Sequence, residues 1–192
     1  MVFHSEKKSG FTLIELIVSI GIMIIITSVI LANYTTFNKR IKLEGATQEI
    51  ASIIRQAQAY GLSSKLSPSP VSTAYGVHFD TSYPDSVTIF YDLSPKDYTY
   101  SGSSEDEEVF KIQSFDRIAQ ICVNQKTASP PACPGAGSVN LLDVIYERSK
   151  IFAQINNDSS ISDAEITFRS VGETKGVRVV IWKSGQVSVE AE

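Results

Sequence analysis

Apolar residues crowd into one run near the start of the chain and then fall into two different rhythms. From Phe11 to Ala32 (FTLIELIVSIGIMIIITSVILA) most positions are apolar, and Glu15 is the only charge. At 1.5 Å per residue a helix of this length spans about 33 Å, enough for a bilayer core of about 30 Å. Beyond it, apolar residues recur at Tyr34, Phe37, Ile41, Ala46, Ile50, Ile53, Ala57 and Tyr60, mostly in steps of three and four. Lys39, Arg40, Lys42, Glu44, Gln48, Glu49 and Arg55 fall largely between them. That period predicts an amphipathic helix. No proline interrupts 11–65, so one continuous helix is expected, ended by Pro68 and Pro70 because the residue before proline avoids the α region.

The second rhythm is an alternation of two. It predicts short strands at Ala74–Phe79, Val87–Tyr91, Val109–Phe115, Ile118–Val123, Leu141–Glu147, Glu165–Ser170, Val177–Trp182 and Gln186–Glu190. In the last three the alternation is sharpest, and Ser184-Gly185 reads as a tight hairpin turn. An antiparallel sheet with one apolar face follows. The helix stripe at Ile50, Ile53, Ala57 and Tyr60 is its expected cover. Tyr98–Glu108 reads as a solvated loop, since its consecutive acids at 105–108 lack the alternate spacing of a calcium loop. The expected fold is therefore α+β: a long helix packed on an antiparallel β-sheet head.

A formal net charge of −4 does not suit a dedicated nucleic-acid binder. Arg169, Lys175, Arg178 and Lys183 could form a basic patch on the terminal sheet. A solvated face is the plainer reading, and a nucleic-acid partner is left open. Cys122 and Cys133, the only cysteines, flank Pro130 and Pro131. Such a pair in a loop suits a disulfide in an oxidising compartment, with two unrelated thiols as the alternative. Zinc has no ligand set here, with His78 the only nearby imidazole. Lysines flank the span on both sides, so charge alone leaves its orientation ambiguous. The cysteines favour an N-terminus inside the cell and a head outside. A cleaved secretory signal fits poorly, because the apolar run is too long and continues into helix.

The leader MVFHSEKKSG and the start of the span, Lys7-Lys8-Ser9-Gly10-Phe11-Thr12-Leu13-Ile14-Glu15, resemble the class III signal of type IV pilins and type II secretion pseudopilins. The resemblance implies a prepilin peptidase that cuts between Gly10 and Phe11 and methylates the new Phe11 amine. It also implies that Glu15, the fifth residue after the cut, guides entry into a growing filament. Physical chemistry supports that role independently. A carboxylate within a membrane helix costs about 2.5–3.5 kcal/mol even on a lenient scale and needs a partner. Cleavage would supply one in the protonated Phe11 amine, itself poorly placed at the positive end of a helix.

The stretches IIRQAQAYGLSSK, IYERSKIFAQIN and the closing AEITFRS…VRVVIWKSGQVSV hairpin are similar in texture to H-type minor pseudopilins and minor pilins. The span lacks the proline that many major pilins carry, a departure from the major-subunit pattern. This reading divides the chain into a leader (1–10), a transmembrane half-helix (11–32), an amphipathic half-helix (33–65) and a β-rich extracytoplasmic head (66–192).

No catalytic residue set, metal site or cofactor site is recognisable. His4 lies in the leader, and His78 stands alone in a strand-like run. The expected protein is a minor pilin or pseudopilin of the inner membrane, with a cytoplasmic N-terminus. Its expected partners are a prepilin peptidase, other pilin or pseudopilin subunits, the inner-membrane assembly platform and lipid. The alternatives are a type IV pilus minor subunit for adhesion or DNA uptake, and a single-pass anchored domain that does not assemble.

Overall fold

A computed structural model describes residues 10–63, 74–93, 96–112, 116–126, 133, 138–148, 150 and 152–191. The chain divides into two compact units, Met1–Arg40 and Ile41–Glu192. One helix, α1 (Leu13–Ser63), supplies residues to both. The predicted stops at Pro68 and Pro70, and the last expected helical residue Lys65, lie outside the described residues.

In the first unit the helix is uncovered. Ile14 is 67% exposed, Met23 71% and Leu31 68%. Among the described residues, Leu13–Leu31 is the one stretch long and apolar enough to cross a membrane. Three of its hydroxyl side chains are satisfied within the helix. Ser19 Oγ donates to the Glu15 carbonyl at 2.7 Å, Thr27 Oγ1 to that of Met23 at 2.7 Å, and Ser28 Oγ to that of Ile24 at 2.8 Å. Such back-bonding lets hydroxyls sit in hydrocarbon without unpaired donors.

The second unit begins with the rest of α1. Leu43, Thr47, Ile50, Ala51, Ile53, Ile54 and Ala57 are buried, the repeat expected of a core-facing stripe. The stripe is shorter than the sequence period suggests. Tyr34, Phe37 and Ile41 keep the spacing but stay exposed, because burial starts only at Leu43. Tyr60 is half-buried and meets the Tyr75 ring edge-on at 5.7 Å. Gly61 has a packing reason. A Cβ there would overlap the Tyr146 backbone carbonyl, so only glycine allows the helix this close to the strand.

Ten strands follow: β1 (Ala74–Asp80), β2 (Ser86–Tyr91), β3 (Asp106–Lys111), β4 (Asp116–Val123), β5 (Ser138–Val139), β6 (Leu141–Glu147), β7 (Gln154–Ile155), β8 (Asp163–Ser170), β9 (Val177–Trp182) and β10 (Val187–Ala191). They make two five-stranded sheets, β3-β2-β1-β6-β7 and β10-β9-β8-β4-β5, with every pairing antiparallel. All eight expected strands have a counterpart; the one expected at Val109–Phe115 runs Asp106–Lys111 instead, and its expected residues 113–115 lie outside the described residues. The one sheet expected is two, because alternation identifies a strand but not its neighbour. The short strands β5 and β7 carry no alternation and were invisible to it.

Both sheets and α1 share one core. Tyr75, Val77, Phe79 and Leu142 of the first sheet join Ile121, Ile166, Phe168 and Val179 of the second against Ile50, Ile53 and Ile54. The terminal hairpin closes with three residues rather than two: the Gly185 N–H donates to the Trp182 carbonyl, and the Trp182 N–H to that of Gln186. Gly185 takes φ 86°, the left-handed position such a loop requires.

Candidate functional site

The residues implied in processing lie at the start of α1. Gly10 and Phe11 precede the helix, and Phe11 is 80% exposed. Thr12 caps it: the Glu15 N–H donates to Thr12 Oγ1 at 3.3 Å, and the Leu16 N–H to the Thr12 carbonyl at 3.2 Å. Thr12-x-x-Glu15 has the spacing of a capping box, in which a hydroxyl takes one of the free donors of the first turn. Glu15 sits in that first turn, where the positive end of the helix favours a carboxylate. Thr12 went unnoticed in the sequence although its spacing to Glu15 was there to find. Lys7 and Lys8 lie outside the described residues.

Cys122 on β4 and Cys133 are joined in a disulfide, with Cα atoms 6.2 Å apart. Gln120 Nε2 donates to Cys133 Sγ at 3.3 Å, and the Cys133 N–H to Gln125 Oε1 at 3.2 Å. The cross-link therefore ties Cys133 back to β4, at the buried Cys122.

The acidic segment is not the solvated loop its composition suggested. Ser103–Glu105 forms a 3-10 turn, and β3 begins at Asp106. Glu105 is only 3% exposed, accepting the Leu93 N–H at 3.2 Å and the Ser101 N–H at 2.7 Å. Asp106 accepts the Tyr100 hydroxyl at 2.7 Å. Burial first, then that hydrogen bond, pushes the Tyr100 hydroxyl up to about 12. Nor does His78 stand alone. Its Nδ1 lies 2.6 Å from Asp143 Oδ1, and its ring lies 4.3 Å from that of Tyr100. These contacts fold the segment from Lys96 to Glu105 over the outer face of the first sheet, where Tyr98 and Tyr100 pack on Ala74, Phe90 and Ile145. Beside it, Asp92 is fully buried and accepts the Tyr98 N–H at 3.1 Å. Burial outweighs that bond and pushes its carboxyl up to about 6.

Two of the four cations that could have formed a basic patch on the terminal sheet are engaged by neighbours. Arg178 Nη1 meets Glu165 Oε1 at 2.8 Å, and Lys183 Nζ donates to the Ser159 carbonyl at 2.6 Å. Among the described residues no group of three or more His, Cys, Asp or Glu is arranged to hold a metal.

Comparison with known families matches residues 6–31 to the prokaryotic N-terminal methylation motif. No curated protein and no solved structure matches the chain. The chain thus carries a type IV pilin-like class III signal, at the head of an apolar helix and an α+β fold with two antiparallel sheets. That signal is the mark of a prepilin, processed by a prepilin peptidase and assembled with other pilins. Together with the apolar stretch Leu13–Leu31 it is consistent with a single-pass, membrane-anchored chain.

Proposed function

We propose that this chain is the precursor of a minor pilin or pseudopilin, cut between Gly10 and Phe11 and methylated on the new Phe11 amine. It then enters a type II secretion pseudopilus or a type IV pilus-like filament through α1. The match over residues 6–31 carries this reading. Glu15 meets the Phe11 amine of a neighbouring subunit, since each charge is costly alone in lipid and the pair offsets both. Exposure of Tyr34, Phe37 and Ile41 beyond the bilayer-length stretch supports assembly, because an apolar strip emerging from the membrane needs neighbouring helices to cover it.

The Cys122–Cys133 disulfide supports an extracytoplasmic head, a cytoplasmic leader 1–10 and residence in the inner membrane before assembly. The remaining boundaries, a membrane half at 11–32, an outer half at 33–65 and a head at 66–192, follow from this orientation. Intact mass of the protein from its native membrane tests processing. The expected species begins at Phe11 and carries one added methyl group. Recovery of the uncut chain alongside an active prepilin peptidase would refute the reading.

A further inference from the structure

We infer that the head carries a binding site for an arginine side chain of another protein, on the outer face of its first sheet. A cavity of about 250 Å³ there is lined by His78, Asp80, Tyr83, Thr88, Tyr100 and Asp106, among others. Strand alternation builds its floor. Val87 and Ile89 of β2 belong to the core, so Thr88 between them faces outward, beside its register partner His78 on β1.

Thr88 is what points to a ligand. The residue is only 8% exposed, it lines the cavity, and its hydroxyl has no hydrogen-bond partner among the described residues. Buried hydroxyls are as a rule paired, so this one is placed to be met from the cavity side. His78 adds an acceptor next to it. Asp143 takes the Tyr100 N–H on Oδ2 at 3.0 Å and meets His78 Nδ1 on Oδ1. A carboxylate can only accept, which puts the ring proton on Nδ1 and leaves Nε2 of the neutral ring as an acceptor.

The rest of the lining calls for a cation. Asp80 holds the Ser82 N–H with one oxygen and Asp106 the Tyr100 hydroxyl with one, so each has a second oxygen to offer. Among the described residues no lysine or arginine lines the cavity, and Lys111, opposite Ser86 on β3, pairs with Asp85 at 3.6 Å. A metal ion does not suit the site, since no three acids, histidines or cysteines converge among the described residues. An organic cation does. His78 and Thr88 are register partners with Cβ atoms about 5 Å apart, a spacing that a planar guanidinium fork serves better than a point-charge ammonium. Its flat faces also stack on tyrosine rings, here Tyr83 and Tyr100. Of the lining, Tyr83 is 68% exposed and Val109 48%. The alkyl stem of a side chain covers such apolar surface, which a free small cation leaves in water. The site lies within the second unit and holds whether or not the helix polymerises.

The test uses the full chain in neutral detergent micelles, with the Thr88 methyl and His78 ring signals followed by NMR at constant ionic strength and pH. A blocked glycine–arginine–glycine peptide should shift both signals saturably. Its lysine counterpart should bind several-fold more weakly, and its citrulline counterpart, flat but uncharged, should not bind. Thr88→Val keeps a β-branched side chain and should keep the amide spectrum of the head while weakening binding about fivefold. Asp80→Asn keeps an acceptor for the Ser82 N–H and should weaken it by a similar factor. Linear, unsaturated shifts would overturn the inference, as would wild-type affinity in both variants. Binding of the citrulline peptide as tight as that of the arginine peptide would overturn the choice of a cation. Methylguanidinium binding as tightly as the peptide would overturn the protein source.

Discussion

The Thr12 hydroxyl accepts the backbone N–H of Glu15 at 3.3 Å, so α1 starts after the bond the peptidase is expected to cut. The cap leaves Gly10 and Phe11 outside the helix, where an extended chain can enter an active site, and puts Glu15 in the first turn. Thr12→Val removes the acceptor and should weaken this turn by about 1 kcal/mol. Hydrogen exchange at the Glu15 amide in micelles should then speed up about fivefold, with Thr12→Ser close to wild type. Unchanged exchange in Thr12→Val would show that the hydroxyl does not hold the helix start.

Glu15 separates a filament subunit from a simple anchor. Glu15→Ala should leave cleavage and insertion intact, and even ease insertion by about 2.5–3.5 kcal/mol. Cross-linking to partner pilins should fall about tenfold at matched membrane abundance. Glu15→Gln keeps a hydrogen-bonding group but not the charge and should behave like the alanine variant. Wild-type cross-linking in both variants would remove the assembly role from Glu15.

Joining Cys122 to Cys133 closes a loop with a sequence separation of 11. In the chain-entropy model, breaking that link costs about 3 kcal/mol. Protein exported by its native host should show no reactive thiol under non-reducing, denaturing conditions. A Cys122→Ser/Cys133→Ser double variant should unfold at correspondingly lower denaturant. Two titratable thiols in the exported wild type would count against both the cross-link and the outward orientation of the head.

Asp92 makes stability depend on pH. Its carboxyl, pushed by burial from 3.8 to about 6, keeps its proton in the folded chain over a range where the unfolded chain releases it. The folded state therefore binds more protons between those values, and stability falls as pH rises through 6. A shift of about two units corresponds to about 3 kcal/mol. Asp92→Asn keeps an acceptor for the Tyr98 N–H and should lose this dependence. Denaturant unfolding at pH 4 and pH 7 should show the variant gaining on wild type by that order. A constant difference between the two would mean Asp92 is not held protonated.

The sequence by itself determined every feature whose cause is local. An uninterrupted apolar run with one carboxylate makes a bilayer-length helix, and the absence of proline lets it continue to Ser63. Two-residue alternation marks β8 and β9 as strands, because successive side chains must face opposite sides. The Gly10–Glu15 signal was legible for the same reason, being a short linear pattern read by an enzyme before folding matters.

Only the tertiary structure decided the partners. Whether β4 pairs with β8 or with β3 depends on closing long loops, which no period in the sequence encodes, so two sheets looked like one. Glu105 read as solvated because acids usually are, yet folding brings the Leu93 and Ser101 N–H groups to it and makes burial favourable. His78 and Asp143 lie far apart in sequence, and the β1–β6 register sets them opposite each other. Arg117 and Arg169 face each other for the same reason: pairing geometry, set by the whole core, decides which charges must share a surface.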